Sequence, residues 1–297
     1  MKTGIVGIMN NPSTSENSHS AGWNEIQRQL IDPHSVILNE SDNWLDYDQI
    51  VINHGPNFKE GSFNIIGGIN DSVINRANKL IEFKNIKNKI YQIDDFQMED
   101  FIVKRKLNLF WNGKIEKFNI DKRSKLIIGD SHSISMWPGP EYSIERNDGK
   151  TLFGFLKNPK KADILYFGNI DIRFHLCRQQ DPVASTIDLC ERYIDFANSC
   201  KAKVSCLLPI ESESRKVPQS GMYKRQPFYG SRELRSKLVN IFNGILLKSG
   251  LDVNVWPNEW YSNISFYEKE IMEPKQSVHI RPKYYARNIK HKQINLF

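Results

Sequence analysis

Two short stretches of this 297-residue chain carry side chains whose types and spacing could do chemistry. The first is Gly129-Asp130-Ser131-His132, which follows the apolar run Leu126-Ile127-Ile128. A buried strand that stops in a glycine turn carries polar side chains to the carboxyl edge of an α/β sheet, where ligands bind. Ser131 is therefore the leading candidate nucleophile, although Asp130 and Ser131 could equally cap whatever follows the strand. The second is Gly168-Asn169-Ile170-Asp171-Ile172-Arg173-Phe174-His175, after the apolar run Ala162–Phe167. If the backbone stayed extended past Gly168, the two-residue period of a strand would point Asp171, Arg173 and His175 to one face. An acid, a fixed cation and an imidazole would then meet at the sheet edge. A surface salt bridge beside an incidental histidine is the plainer alternative.

The elements that must hold these stretches read as repeated strand-loop-helix units. Gly4–Met9, Ser35–Leu38, Gln49–Asn53 and Lys89–Ile93 are expected strands. The first leads into a helix with Trp23, Ile26 and Leu30 on one face. Asp71 can cap a helix running to about Phe83. Asn112-Gly113 between Leu107–Trp111 and Lys114–Phe118 reads as a hairpin turn. In the second half, Asp181–Ser199 is expected to be a helix facing inward through Val183, Ile187, Cys190, Ile194 and Ala197. Lys203–Leu208 and Asp252–Trp256 are expected strands, with a helix at Ser231–Ser249 between them. The polar insertion Glu211–Gly230 is expected to be a lid or a substrate-binding arm. The fold class is thus α/β, with two Rossmann-like or flavodoxin-like three-layer domains at 1–121 and 122–297 and mostly parallel sheets.

Composition narrows the function classes. A hydrophobic fraction of 39% and a charged fraction of 25% fit a soluble globular protein, and neither a membrane span nor a secretory leader is visible. A cytoplasmic location is the default. Cys177, Cys190, Cys200 and Cys206 have no metal-ligand spacing and read as buried thiols, so no metal is expected. A formal net charge of +7 favours an anionic partner. Lys157–Lys161, Arg215–Arg225 and the Arg281–Lys292 tail are basic, and the last carries Tyr284 and Tyr285. Basic residues interleaved with aromatics suit phosphate contact and base stacking, which makes Lys224, Arg225, Arg281 and Lys283 candidates for nucleic-acid contact. A solvated lysine-rich surface would look the same.

Two family resemblances follow from these motifs. Asn10-Asn11, Tyr47-Asp48, Asn57-Phe58 with Gly61, and Lys89-Ile90-Tyr91 followed by Asp94 resemble the N-terminal Rossmann-like domain of phage DNA glucosyltransferases. That likeness implies a sugar-nucleotide cofactor and DNA modification. Over roughly 122–290, the order of the GDSH, GNIDIRFH and SVH segments resembles the SGNH/GDSL hydrolase superfamily. In that family the serine attacks an ester, a histidine near the C-terminus is the base, and a middle-block glycine helps bind the oxyanion. The resemblance implies those roles for Ser131, His279 and Gly154, with no cofactor. Two departures stand out. Ile170 occupies the position of the family's oxyanion asparagine, although Asn169 is adjacent, and Gln276 occupies that of the aspartate that orients the histidine. Asp171 could orient a histidine instead, and Arg173 or His175 could act as donors. Asp130 completes the candidate catalytic residues, and His132 joins Gly154, Asn169, Arg173 and His175 as a candidate oxyanion or substrate contact.

Three functions follow. The first is an SGNH-like enzyme that hydrolyses or transfers an acyl ester on a carbohydrate or nucleotide-linked substrate. The second is a phage-type glycosyltransferase acting on hydroxymethylated DNA. The third is a non-catalytic nucleic-acid or glycan binder.

Overall fold

The computed structural model describes residues 1–6, 19–38, 46–52, 89–92, 115–117, 123–219, 223–273 and 277–289. The chain divides into two compact units, Met1–Lys122 and Arg123–Phe297.

In the first unit, β1 (Thr3–Val6), β2 (Val36–Ile37), β3 (Gln49–Ile52), β4 (Lys89–Gln92) and β5 (Ile115–Lys117) form a parallel sheet in the order β2-β1-β3-β4-β5. Helix α1 (His19–Ile31) buries Trp23, Ile26 and Leu30, the face its periodicity predicted. β5 pairs in parallel with β4. The first arm of the expected hairpin, the expected helix from Asp71, and Asn10, Asn11, Asn57 and Phe58 lie outside the described residues.

The second unit repeats the same order. β6 (Lys125–Gly129), β7 (Tyr142–Arg146), β8 (Ile164–Tyr166), β9 (Lys203–Ser205) and β10 (Val253–Asn254) run parallel in the order β10-β9-β8-β6-β7. A short helix, α2 (Leu152–Leu156), links β7 to β8, and longer helices, α3 (Pro182–Cys200) and α4 (Arg232–Lys248), link β8 to β9 and β9 to β10. Ile127, Ile128, Leu165, Val204, Leu207 and Phe242 are at most 1% exposed and form part of the core. Helix α3 faces inward through Thr186, Leu189, Cys190, Tyr193 and Ala197. Val183, Ile187 and Ile194 are only half-buried. The face is turned because the Tyr193 hydroxyl donates to Leu165 O at 2.8 Å, tying the helix to β8.

In a parallel sheet of this order the strand succession reverses between the first strand and its two neighbours. The crevice outside the carboxyl ends at that point is where α/β proteins bind ligands. Here that point is the end of β6, where Gly129 sits level with Arg146 of β7 and Tyr166 of β8.

Candidate active site

Ser131 stands at that crevice for local reasons. A Cβ on Gly129 would lie 2.4 Å from Tyr166 O and 2.6 Å from Ser133 Cβ, so only glycine lets β6 end this close to β8. Asp130 then caps a short 3-10 helix, Ser131–Met136, accepting from His132 N–H at 2.8 Å. Ser131 is half-buried at its first position, and its N–H finds no protein acceptor among the described residues. A first-turn N–H has no partner inside its own helix. The capping reading and the nucleophile reading thus describe different residues: Asp130 caps, and Ser131 presents its hydroxyl.

His279 approaches from the other end of the chain. Its Nε2 lies 2.8 Å from Ser131 Oγ. The segment that carries it is pinned by an antiparallel bridge, Met272 to Ile280, and Glu273 N–H donates to His279 O at 2.9 Å. This folds Glu273 back beneath the ring, with Oε2 3.6 Å from His279 Nδ1. Ser277 fills the gap: its hydroxyl donates to Glu273 Oε2, and its oxygen lies 3.2 Å from both His279 Nδ1 and His279 N. A carboxylate only accepts, so Ser277 must donate to it and can only accept from Nδ1–H. That chain fixes the tautomer, leaving Nε2 as the bare nitrogen that accepts from Ser131 Oγ–H. Burial holds the proton affinity of His279 below its ordinary value, with His132 and Arg146 adding to the effect and Glu273 opposing it. A histidine so placed is neutral near pH 7, the form a general base needs.

The other candidate residues are distributed differently from the sequence expectation. Gly168 has φ +109°, and the chain beyond it turns into a wide helical turn at Asp171–His175 instead of staying extended. The two-residue period is lost and the three side chains diverge. Asp171 accepts from Leu152 N at 2.6 Å and Phe153 N at 3.2 Å, so it secures the start of α2 and does not orient a histidine. Burial pushes its carboxyl up to about 6, with those two N–H groups pulling the other way. Arg173 is 2% exposed and bound by Glu211, with Nη2 2.8 Å from Oε2, Nε 3.0 Å from Oε1 and Nη1 3.0 Å from Asn169 O. It is a core ion pair and no donor to the crevice. His175 is half-buried, its proton affinity lowered by burial and by Arg178, and no contact joins it to Ser131 or His279. Gly154 N–H is engaged by Thr151 Oγ1 at 2.9 Å, which removes it as an open oxyanion donor. Asn169 is 1% exposed, and its Oδ1 accepts from Leu208 N at 3.2 Å.

No family model, curated protein or solved structure matches this chain.

Sequence reasoning missed Glu273 and Ser277. Gln276, the residue three before His279, lies outside the described residues. Glu273 is the nearest carboxylate upstream of His279, but that spacing alone does not bring it to the ring.

The insertion at 211–230 is no free arm in its described part. Glu211 is 0% exposed against Arg173, and Phe228 is 1% exposed in a cluster with Ile170 and Phe174. Arg215 donates to Glu273 O at 2.7 Å and Ser277 O at 3.2 Å, gripping the segment that carries Glu273 and His279. Tyr223 stacks on Phe174 with ring centroids 4.0 Å apart and donates to Gly149 O at 3.3 Å. Of the basic candidates, Lys224 and Arg225 are exposed, as is Lys283. Arg281 is engaged, its Nε donating to Met272 O at 2.9 Å and its Nη2 to Lys269 O at 2.8 Å. Tyr285 in the basic tail is 1% exposed, and Lys283 beside it is exposed; residues beyond 289 lie outside the described residues.

Among the described residues no group of three or more His, Cys, Asp or Glu side chains could hold a metal ion, and no helix is long and apolar enough to cross a membrane.

Proposed function

We propose that this chain is an SGNH-like serine enzyme that hydrolyses or transfers an acyl ester on a carbohydrate or nucleotide-linked substrate. The observation that carries the reading is the 2.8 Å contact between Ser131 Oγ and His279 Nε2, with Glu273 and Ser277 behind Nδ1. Nucleophile, base and orienting acid then stand in hydrogen-bond order, the arrangement that activates a serine.

In this mechanism His279 Nε2 takes the proton as Ser131 Oγ attacks the ester carbonyl. The Glu273 carboxylate, through Ser277, stabilises the imidazolium that forms. The Ser131 N–H, on the residue that attacks, is the candidate donor to the developing oxyanion. His279 returns its proton to the leaving alkoxide. Water, or a hydroxyl acceptor, then opens the acyl-serine ester with His279 again as base.

A panel of acetylated oligosaccharides and acetylated nucleotide sugars tests the reading. Acyl release that requires Ser131 is the expected outcome, and addition of hydroxyl acceptors separates hydrolysis from transfer. If none of the panel is turned over but hydroxymethylated DNA is labelled from a sugar nucleotide, the glycosyltransferase reading replaces it.

A further inference from the structure

His132 takes no part in the exchange between Ser131 and His279, yet it is the more enclosed of the two rings, at 2% exposure. Its Nδ1 lies 3.0 Å from Asp130 Oδ1, and its Nε2 lies 3.3 Å from Val278 O. Its ring centroid is 4.7 Å from that of His279, the planes tilted by 45°. A carbonyl oxygen and a carboxylate oxygen both only accept, so the two contacts are hydrogen bonds together when both ring nitrogens carry protons. Asp130 is 0% exposed and makes a second bond to the same residue through His132 N–H. The carboxylate therefore fixes both the backbone and the ring of His132.

The position of these bonds in the chain gives them their meaning. His132 follows Ser131, and Val278 precedes His279. Consecutive residues of the turn after β6 are thus joined to consecutive residues of the segment that carries the base. The Met272–Ile280 bridge, Arg215 and the Ser277 contact hold the base segment and its ring from the far side. The His132 contact with Val278 O adds a hold from the Ser131 side, at the residue next to His279, where the two tilted rings lie 4.7 Å apart.

We propose that His132 is a positioning residue: with a proton on each ring nitrogen it donates from Nε2 to Val278 O and from Nδ1 to Asp130 Oδ1, and so keeps the His279 ring in register with Ser131 Oγ. The proposal rests on the serine reading above and gives His132 no contact with substrate. Among the described residues, the groups facing His279 include Glu273 and Ser277 from its own segment, Ser131 and His132 from the turn after β6, and Arg146 from the end of β7. His132 and Arg146 lower the proton affinity of His279, so removing His132 raises it.

The test compares His132→Phe, which keeps a ring without a donor, with His132→Gln, which keeps a donor without a ring. Both are assayed with p-nitrophenyl acetate across the acid limb of the pH profile. His132→Phe is expected to lose roughly 10²-fold in kcat, the scale of a small misplacement, with KM little changed. His132→Gln should recover part of that loss, and in both variants the acid limb of kcat/KM should move to higher pH. Turnover of a folded His132→Phe within about twofold of wild type overturns the proposal, and so does a loss with an unmoved acid limb. If neither variant folds, NMR of the wild type decides: a scalar correlation from the His132 Nε2–H to the Val278 carbonyl is expected, and its absence overturns the proposal. Wild-type protein lacking any Ser131-dependent turnover would remove the serine reading itself. An active wild type with an indifferent His132→Phe removes the His132 inference alone.

Discussion

Glu273 Oε2 and His279 Nδ1 lie 3.6 Å apart, and the hydroxyl of Ser277 bonds to both. The carboxylate therefore acts on the imidazole through a serine hydroxyl, which makes the tautomer depend on which way that hydroxyl points.

This geometry predicts unequal effects at the two residues. Glu273→Gln can turn an amide N–H toward Ser277 and reverse the relay, so that Ser277 donates to Nδ1 and Nε2 carries the proton. Turnover of p-nitrophenyl acetate is expected to fall by up to roughly 10⁴-fold, the scale of a wrong tautomer. Ser277→Ala removes the relay but leaves the charge, and should cost far less. Steady-state kinetics of the two variants check the order, and equal losses would contradict the relay.

Arg173 and Glu211 are 2% and 1% exposed at the side chain and bonded two-fold. Removing one partner strands the other as a buried charge, so Arg173→Met is expected to destabilise the fold by about 3–5 kcal/mol. Replacing both by apolar residues should recover much of that loss. Arg173→Lys cannot reproduce the fork and should fall between wild type and Arg173→Met in stability. Urea unfolding of the single and double variants measures this. A Glu211→Leu/Arg173→Met double variant no more stable than the single one would contradict it.

The Asp171 carboxyl, pushed up to about 6 by burial from an ordinary value of 3.8, gives a pH signature. Between those values the folded state holds a proton that the unfolded chain has released. Stability from this group is therefore fully present at the acid end of the window and declines as pH rises through it. In Asp171→Asn the decline should be absent. Melting temperatures of wild type and variant across the window check this, with parallel curves as the contrary result.

How far the site was legible in the sequence differs from residue to residue. The apolar run ending in Gly129 announced both the strand and the polar turn, because strand burial and the glycine requirement are local properties. The alternation of strands and helices gave the parallel sheets for the same reason. Asp171, Arg173 and His175 were misread because a single backbone angle at Gly168, φ +109°, converts an expected extension into a helical turn. Nothing in the sequence around them states that angle. Glu273 was missed because its approach to His279 depends on the bridge between Met272 and Ile280, a tertiary pairing that spacing does not encode. The buried face of α3 was misplaced where Tyr193, a residue with a polar tip, turns inward to bond Leu165 O.

The exposed pair Lys224 and Arg225 keeps the nucleic-acid question testable. If they contact phosphates, affinity for labelled DNA should fall steeply with salt, and Lys224→Ala/Arg225→Ala should make the log–log slope shallower by up to about two. Filter binding at several salt concentrations measures it. No binding at low salt, or an unchanged slope, would remove these residues as contacts.

The central claim, that Ser131 is a nucleophile activated by His279, is tested most directly by labelling with a fluorophosphonate and mapping the adduct by mass spectrometry. The expected result is a single adduct on Ser131, absent in Ser131→Ala and strongly slowed in His279→Ala, with a rate that falls on acidification as His279 gains its proton. A folded wild-type protein that leaves Ser131 unlabelled, or labels it equally fast without His279, would contradict the claim.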